Sequence, residues 1–74
     1  MSATTVIKQR LQDLNMSQAE LAEAIGSTRQ NLSNKLTRDN FTTKELSKIC
    51  AALKLSLVLK SGDNKEYVIE YPSK

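Results

Sequence analysis

The 74-residue sequence contains no histidine and one cysteine, and each shortage removes a class of function. Without histidine the usual zinc ligand pairs and the commonest general base are missing. With the single thiol of Cys50, no internal disulfide can form. The two glycines, Gly26 and Gly62, stand far apart, so no glycine-rich loop is available to cradle a phosphate. Ser17 has no base to activate it, and Glu20 and Glu23 read as capping or solvated carboxylates. An enzyme, a metal site and a cofactor are therefore not expected. No apolar run approaches a membrane span, and the N-terminal MSATTVIKQR lacks the apolar core of a secretory signal. The expectation is a cytoplasmic protein without a membrane partner.

At this length one domain, 1–74, is expected, with a core that contributes only a few kcal/mol and would gain from a partner subunit. There is no internal repeat, low-complexity tract or long linker. Net charge is +3, and its location is more telling than its size. Between Gly26 and Arg38 lie Arg29, Lys35 and Arg38 with no acid, so that segment carries the whole excess.

What is present is concentrated in SQAELAEAIGSTRQNLSNKL, Ser17 to Leu36. Ser17 can cap a helix while Glu20, three residues on, reaches back to the Ser17 N–H, with Met16 and Leu21 at the hydrophobic staple positions. Leu21, Ala22 and Ile25 then form one buried stripe at helical spacing. Gly26 follows at once, where a helix commonly ends in a left-handed residue. Ser27 or Thr28 can cap the next helix, whose Leu32 and Leu36 turn inward and leave Arg29, Gln30, Ser33 and Asn34 outward. Two short helices around a sharp turn, the second of them basic and polar outside, form a helix-turn-helix, and a basic surface there suits the release of counterions from DNA phosphates.

The flanking segments supply support. A helix over 5–14 should bury Ile7, Leu11 and Leu14 and keep Lys8, Arg10 and Asp13 outside. After a link from Thr37 to Thr42, Thr42-Thr43-Lys44-Glu45 offers a second capping box, starting a helix over 43–53 with Leu46, Ile49, Cys50 and Leu53 inside. There Cys50 reads as a small core residue. The period then changes from helical to alternating. Leu55, Leu57 and Leu59, and again Tyr67, Ile69 and Tyr71, alternate with other residues around the polar loop Ser61 to Lys65. A hairpin over 55–71 follows, pairing Lys60 with Glu66, Leu59 with Tyr67, Val58 with Val68, Leu57 with Ile69 and Leu55 with Tyr71, and Pro72 stops it. Tyr67 and Tyr71, opposite leucines, read as core or interface residues ahead of platforms for single-stranded bases. The predicted fold class is mainly α, four helices, with a C-terminal β-hairpin.

Gln18, Leu21, Ala22, Ile25, Gly26 and Leu32, in this order and spacing, resemble the phage repressor and Cro type of helix-turn-helix protein, the XRE-like family. Ala22 is similar to the family's small residue at the helix crossing, and Gly26 to its turn glycine. One departure is Lys35, at a site the family usually fills with an apolar residue; Leu36 beside it is expected to make the core contact. The likeness extends loosely from Val6 to Leu53. It implies a transcriptional regulator that binds double-stranded DNA, a repressor ahead of an activator. It further implies that Thr28, Arg29, Gln30 and Asn34 approach base edges, Arg29 suiting guanine and Gln30 adenine. Phosphate contacts are implied for Gln18, Asn31, Lys35, Arg38, Asn40 and the N–H groups near Thr43. A homodimer through the C-terminal hairpin is expected, because that hairpin carries a one-sided apolar face that must be covered. Two alternatives stand beside this: an antitoxin that represses its own operon and binds a protein toxin, and a protein interaction module that does not bind DNA.

Overall fold

A computed structural model describes residues 1–70. The chain runs α1 (Ala3–Asp13), α2 (Gln18–Ala24), α3 (Arg29–Arg38), α4 (Thr43–Ala52), β1 (Leu57–Lys60) and β2 (Glu66–Ile69). The expected architecture, four helices and then an antiparallel hairpin, is the observed one.

Helix limits follow from caps at both ends. Each helix starts on a hydroxyl: Ser2, Ser17, Thr28 and Thr42 accept the N–H of Thr5, Glu20, Asn31 and Glu45 respectively. At Ser17 and Thr42 the glutamate returns the contact and the capping box is complete. Each helix also stops on a left-handed residue, Asn15, Gly26, Asp39 or Lys54, with φ of 55°, 72°, 52° and 59°. The next N–H then folds back to the previous turn: Met16 to the Leu11 carbonyl, Ser27 to Ala22, Asn40 to Lys35 and Leu55 to Cys50. These caps and stops shift two expected boundaries. The first helix starts at Ala3 and not at 5, because Ser2 caps it. The third runs on to Arg38 and not to 36, because the left-handed residue is Asp39, so the link to α4 is shorter than expected.

The core draws on every helix: Ile7 and Leu11, Leu21 and Ala22, Leu32 and Leu36, and Ile49, closed by Leu53 just beyond α4. Leu21, Ile49 and Leu53 are the largest fully buried side chains, each contributing about 1.5–3 kcal/mol through burial. Met16 packs against this cluster, as its staple position requires. Leu36 is 3% exposed, so it, and not Lys35, fills the core position of α3.

Two side chains depart from expectation. Arg10 is not free in solvent: its Nε donates to the Leu53 carbonyl at 2.9 Å, satisfying an acceptor at the end of α4. Cys50 is only half-buried and lies outside the core cluster, in the groove between α4 and the base of the hairpin with Ser47, Leu57 and Ile69. Burial there pushes its thiol pKa up.

The hairpin has the expected register, Leu57↔Ile69, Val58↔Val68, Leu59↔Tyr67 and Lys60↔Glu66. The expected Leu55–Tyr71 pair and the stop at Pro72 lie outside the described residues. Leu57 and Ile69 are half-buried, whereas Leu59 and Tyr67, nearer the loop, are 61% and 58% exposed. The helices thus cover one end of the apolar face and leave the other bare.

Candidate nucleic-acid interface

The turn between α2 and α3 sets the geometry of the exposed helix. Gly26 takes φ +72° and Ser27 closes the end of α2, after which Thr28 caps α3 by accepting the Asn31 N–H at 3.1 Å. Of the two capping residues that the sequence offers here, Thr28 is the one used. Ala22, in the last turn of α2, is 2% exposed within the core cluster, where a larger side chain would overpack its neighbours.

Burying Leu32 and Leu36 directs the opposite face of α3 to solvent. Thr28, Arg29, Gln30, Asn31, Asn34 and Arg38 are all exposed, and so are Asn40 and Thr43 beyond the helix. Gln18, the first residue of α2, is half-buried. One of the exposed side chains is oriented by another, since Gln30 Nε2 donates to Asn34 Oδ1 at 3.2 Å, one helical turn on. The Gln30 carbonyl oxygen and its second amide proton stay available, one acceptor and one donor side by side.

Asn31, Asn34, Lys35, Arg38 and Asn40 line one polar groove of about 330 Å³ at the junction of α3 and α4. Five residues singled out in the sequence therefore come together in space. Gln18 and Thr43 are not among those lining it. The groove also holds a carboxylate: Glu45 of α4 forms an ion pair with Lys35, Nζ to Oε2 at 2.5 Å. The Lys35 ammonium, and next the Thr42 N–H, which donates to Glu45 Oε1 at 2.8 Å, hold the Glu45 carboxyl below the usual carboxylate range. In the same way the Ser17 N–H lowers Glu20. Local sequence marked Glu45 only as a capping residue. Its partner lies on another helix, and no helical or strand spacing signals that pair.

Among the described residues, no group of three or more His, Cys, Asp or Glu could hold a metal ion, and no helix is long and apolar enough to cross a membrane. The sequence model of the Cro/C1-type HTH DNA-binding domain matches residues 6–57, from within α1 to the first residue of β1. No curated protein and no solved structure matches the chain.

Proposed function

This chain belongs to the Cro/C1-type helix-turn-helix DNA-binding domain family, and from that premise we propose that it is a sequence-specific repressor that reads duplex DNA with α3. The carrying observation is the uncovered polar face of α3, where Arg29 and Gln30 are exposed in the first turn and Asn34 orients Gln30. A helix presented in this way fits the major groove, whose base edges offer two acceptors on guanine to an arginine and a donor–acceptor pair on adenine to a glutamine. Arg38, Asn31, Asn40 and the exposed N-terminal turn of α4 at Thr43 flank that face and suit phosphates, with Gln18 at the start of α2. Repression is the assigned sign, because occupying an operator blocks its other users without any further contact.

The bare end of the hairpin supports a homodimer. Leu59 and Tyr67 sit on the same sheet face as Leu57 and Ile69 but extend past the cover of the helices. A two-stranded sheet is marginal alone, so a second copy laid against this face would stabilise both. Selection of bound sequences from random duplex DNA tests the reading. The expected product is a near-palindrome with half-sites about 34–36 Å apart; no enriched sequence would refute it. Sedimentation of the full chain beside Leu59→Lys/Tyr67→Lys tests the interface, with a shift from dimer to monomer expected.

A further inference from the structure

Lys35 is the one cation of α3 held by an acid among the described residues, although it lines the groove shared with Arg38 and Asn40. A lysine that approaches DNA already compensated displaces no counterion, because the pair brings no net charge to the phosphates. We infer that Glu45 sets the general affinity of this surface: it withholds Lys35 from the DNA backbone and so lowers affinity for every duplex, operator and unrelated sequence alike, without touching the residues that read bases. The inference rests on the DNA-binding reading above and adds to it a regulator of the same surface.

Three observations support it. Glu45 is fixed from two sides, Oε1 by the Thr42 N–H and Oε2 by Lys35, so its carboxylate cannot swing away without opening a capping box. Glu45 is ionised at neutral pH, as any glutamate in solvent is, and Lys35 and the Thr42 N–H favour that charged form further. And Glu45 is the only acid among the residues lining a groove otherwise made of amides, a hydroxyl and cations. Affinity for any duplex rises with each phosphate neutralised, whereas discrimination comes from base contacts. Cancelling one cation beside the reading face therefore lowers affinity and salt dependence on all duplexes and leaves the discrimination between them unchanged.

The test compares full-length wild type, Glu45→Gln and Lys35→Met/Glu45→Gln on a duplex of unrelated sequence across a salt series. Glutamine keeps an oxygen for the Thr42 N–H, so the capping box survives, and thermal melts verify that all three proteins fold. The expected result is that Glu45→Gln steepens the dependence of log affinity on log salt by about 0.9, widening the ratio of affinities between about 50 and 200 mM salt by about 3.5-fold, while the double variant returns to the wild-type slope. If Glu45→Gln keeps the wild-type slope and the double variant loses one unit, Lys35 already contacts phosphate and the inference falls. An equal steepening in both variants also overturns it, since the effect then owes nothing to Lys35. Wild type that fails to bind duplex DNA at low salt overturns the proposed function itself, and this inference with it.

Discussion

The N–H of Thr4 donates to Oδ1 of Asp39 at 2.9 Å, tying the first turn of α1 to the residue that ends α3. The Thr4 hydroxyl reinforces the tie, its single proton lying between the Leu36 carbonyl at 2.7 Å and the same Asp39 oxygen at 2.9 Å. One carboxylate thus satisfies an N–H that α1 cannot use internally, with its negative charge at the favourable end of that helix. The same residue also makes the left-handed stop of α3.

Asp39 therefore performs two separable tasks, and substitutions can divide them. Asp39→Gly loses the Thr4 contacts but is relieved in the left-handed conformation, whereas Asp39→Ala loses the contacts and keeps the strain. Alanine should be the less stable of the two by roughly 1 kcal/mol, after the greater chain entropy of glycine is set against the left-handed cost. Thr4→Val, which removes only the hydroxyl, should cost about 0.5–1.5 kcal/mol. Urea denaturation with unchanged m reads all three. Equal midpoints for Ala and Gly would show that the left-handed strain at Asp39 is no larger than the entropy cost of glycine, about 0.4–1 kcal/mol.

On the reading face, Arg29→Ala and Gln30→Ala should each weaken operator binding by about 1–3 kcal/mol and relax preference at one base pair. The Gln30–Asn34 hydrogen bond adds a stricter expectation. Asn34→Ala should blur the base pair read by Gln30, and the two substitutions should be less than additive, as residues in contact are. Repeating the sequence selection with each variant checks this. Full additivity would mean that Asn34 acts independently of Gln30.

Gly26 needs its backbone and not its surroundings. At φ +72° with nothing within 4 Å of the position a Cβ would take, a side chain there meets strain but no clash. Gly26→Asn should be nearly neutral, since asparagine tolerates this region, while Gly26→Val should lose at least about 1–2 kcal/mol. Calorimetric melting distinguishes them, and a valine variant that melts like wild type would show that the turn can relax.

The two capping boxes give stability a pH dependence of defined sign. Glu20 and Glu45 have pKa values below the ordinary one in the folded chain, through the Ser17 N–H for Glu20 and first through Lys35 for Glu45. Their contribution is complete above the ordinary carboxylate pKa and is lost as pH falls through the depressed folded values. Urea midpoints should fall on acidification, and Glu20→Gln/Glu45→Gln should fall less steeply. The slope that remains includes Asp63, whose pKa the Ser61 hydroxyl lowers. Identical slopes would exclude the capping carboxylates as its source.

Helices and strand register were legible because their signals are local. Ser17 and Glu20, or Thr42 and Glu45, are three residues apart, and Leu57, Leu59, Tyr67 and Ile69 keep a period of two. The outward face of α3 follows from the inward Leu32 and Leu36 by the same reasoning. What escaped was tertiary. Thr4 with Asp39, Arg10 with Leu53 and Lys35 with Glu45 join different elements, and each fixes a side chain for which local spacing signals no partner. The end of α3 escaped for another reason, since Asp39 stops the helix without being a glycine or preceding a proline.

Three of the four left-handed helix stops carry side chains, Asn15, Asp39 and Lys54, and none of them belongs to the set expected to touch DNA. Lys54 holds strain that glycine would release, set against the entropy that glycine adds to the unfolded chain, whereas asparagine tolerates the region at Asn15 and the bonds to Thr4 offset the strain at Asp39. In so small a domain a change of about 1 kcal/mol shifts the unfolded fraction several-fold, and with it the supply of chains open to proteases. Lifetime in the cell can thus be adjusted at these helix ends while the operator stays the same, so how long the regulator lasts and what it recognises are written in different residues.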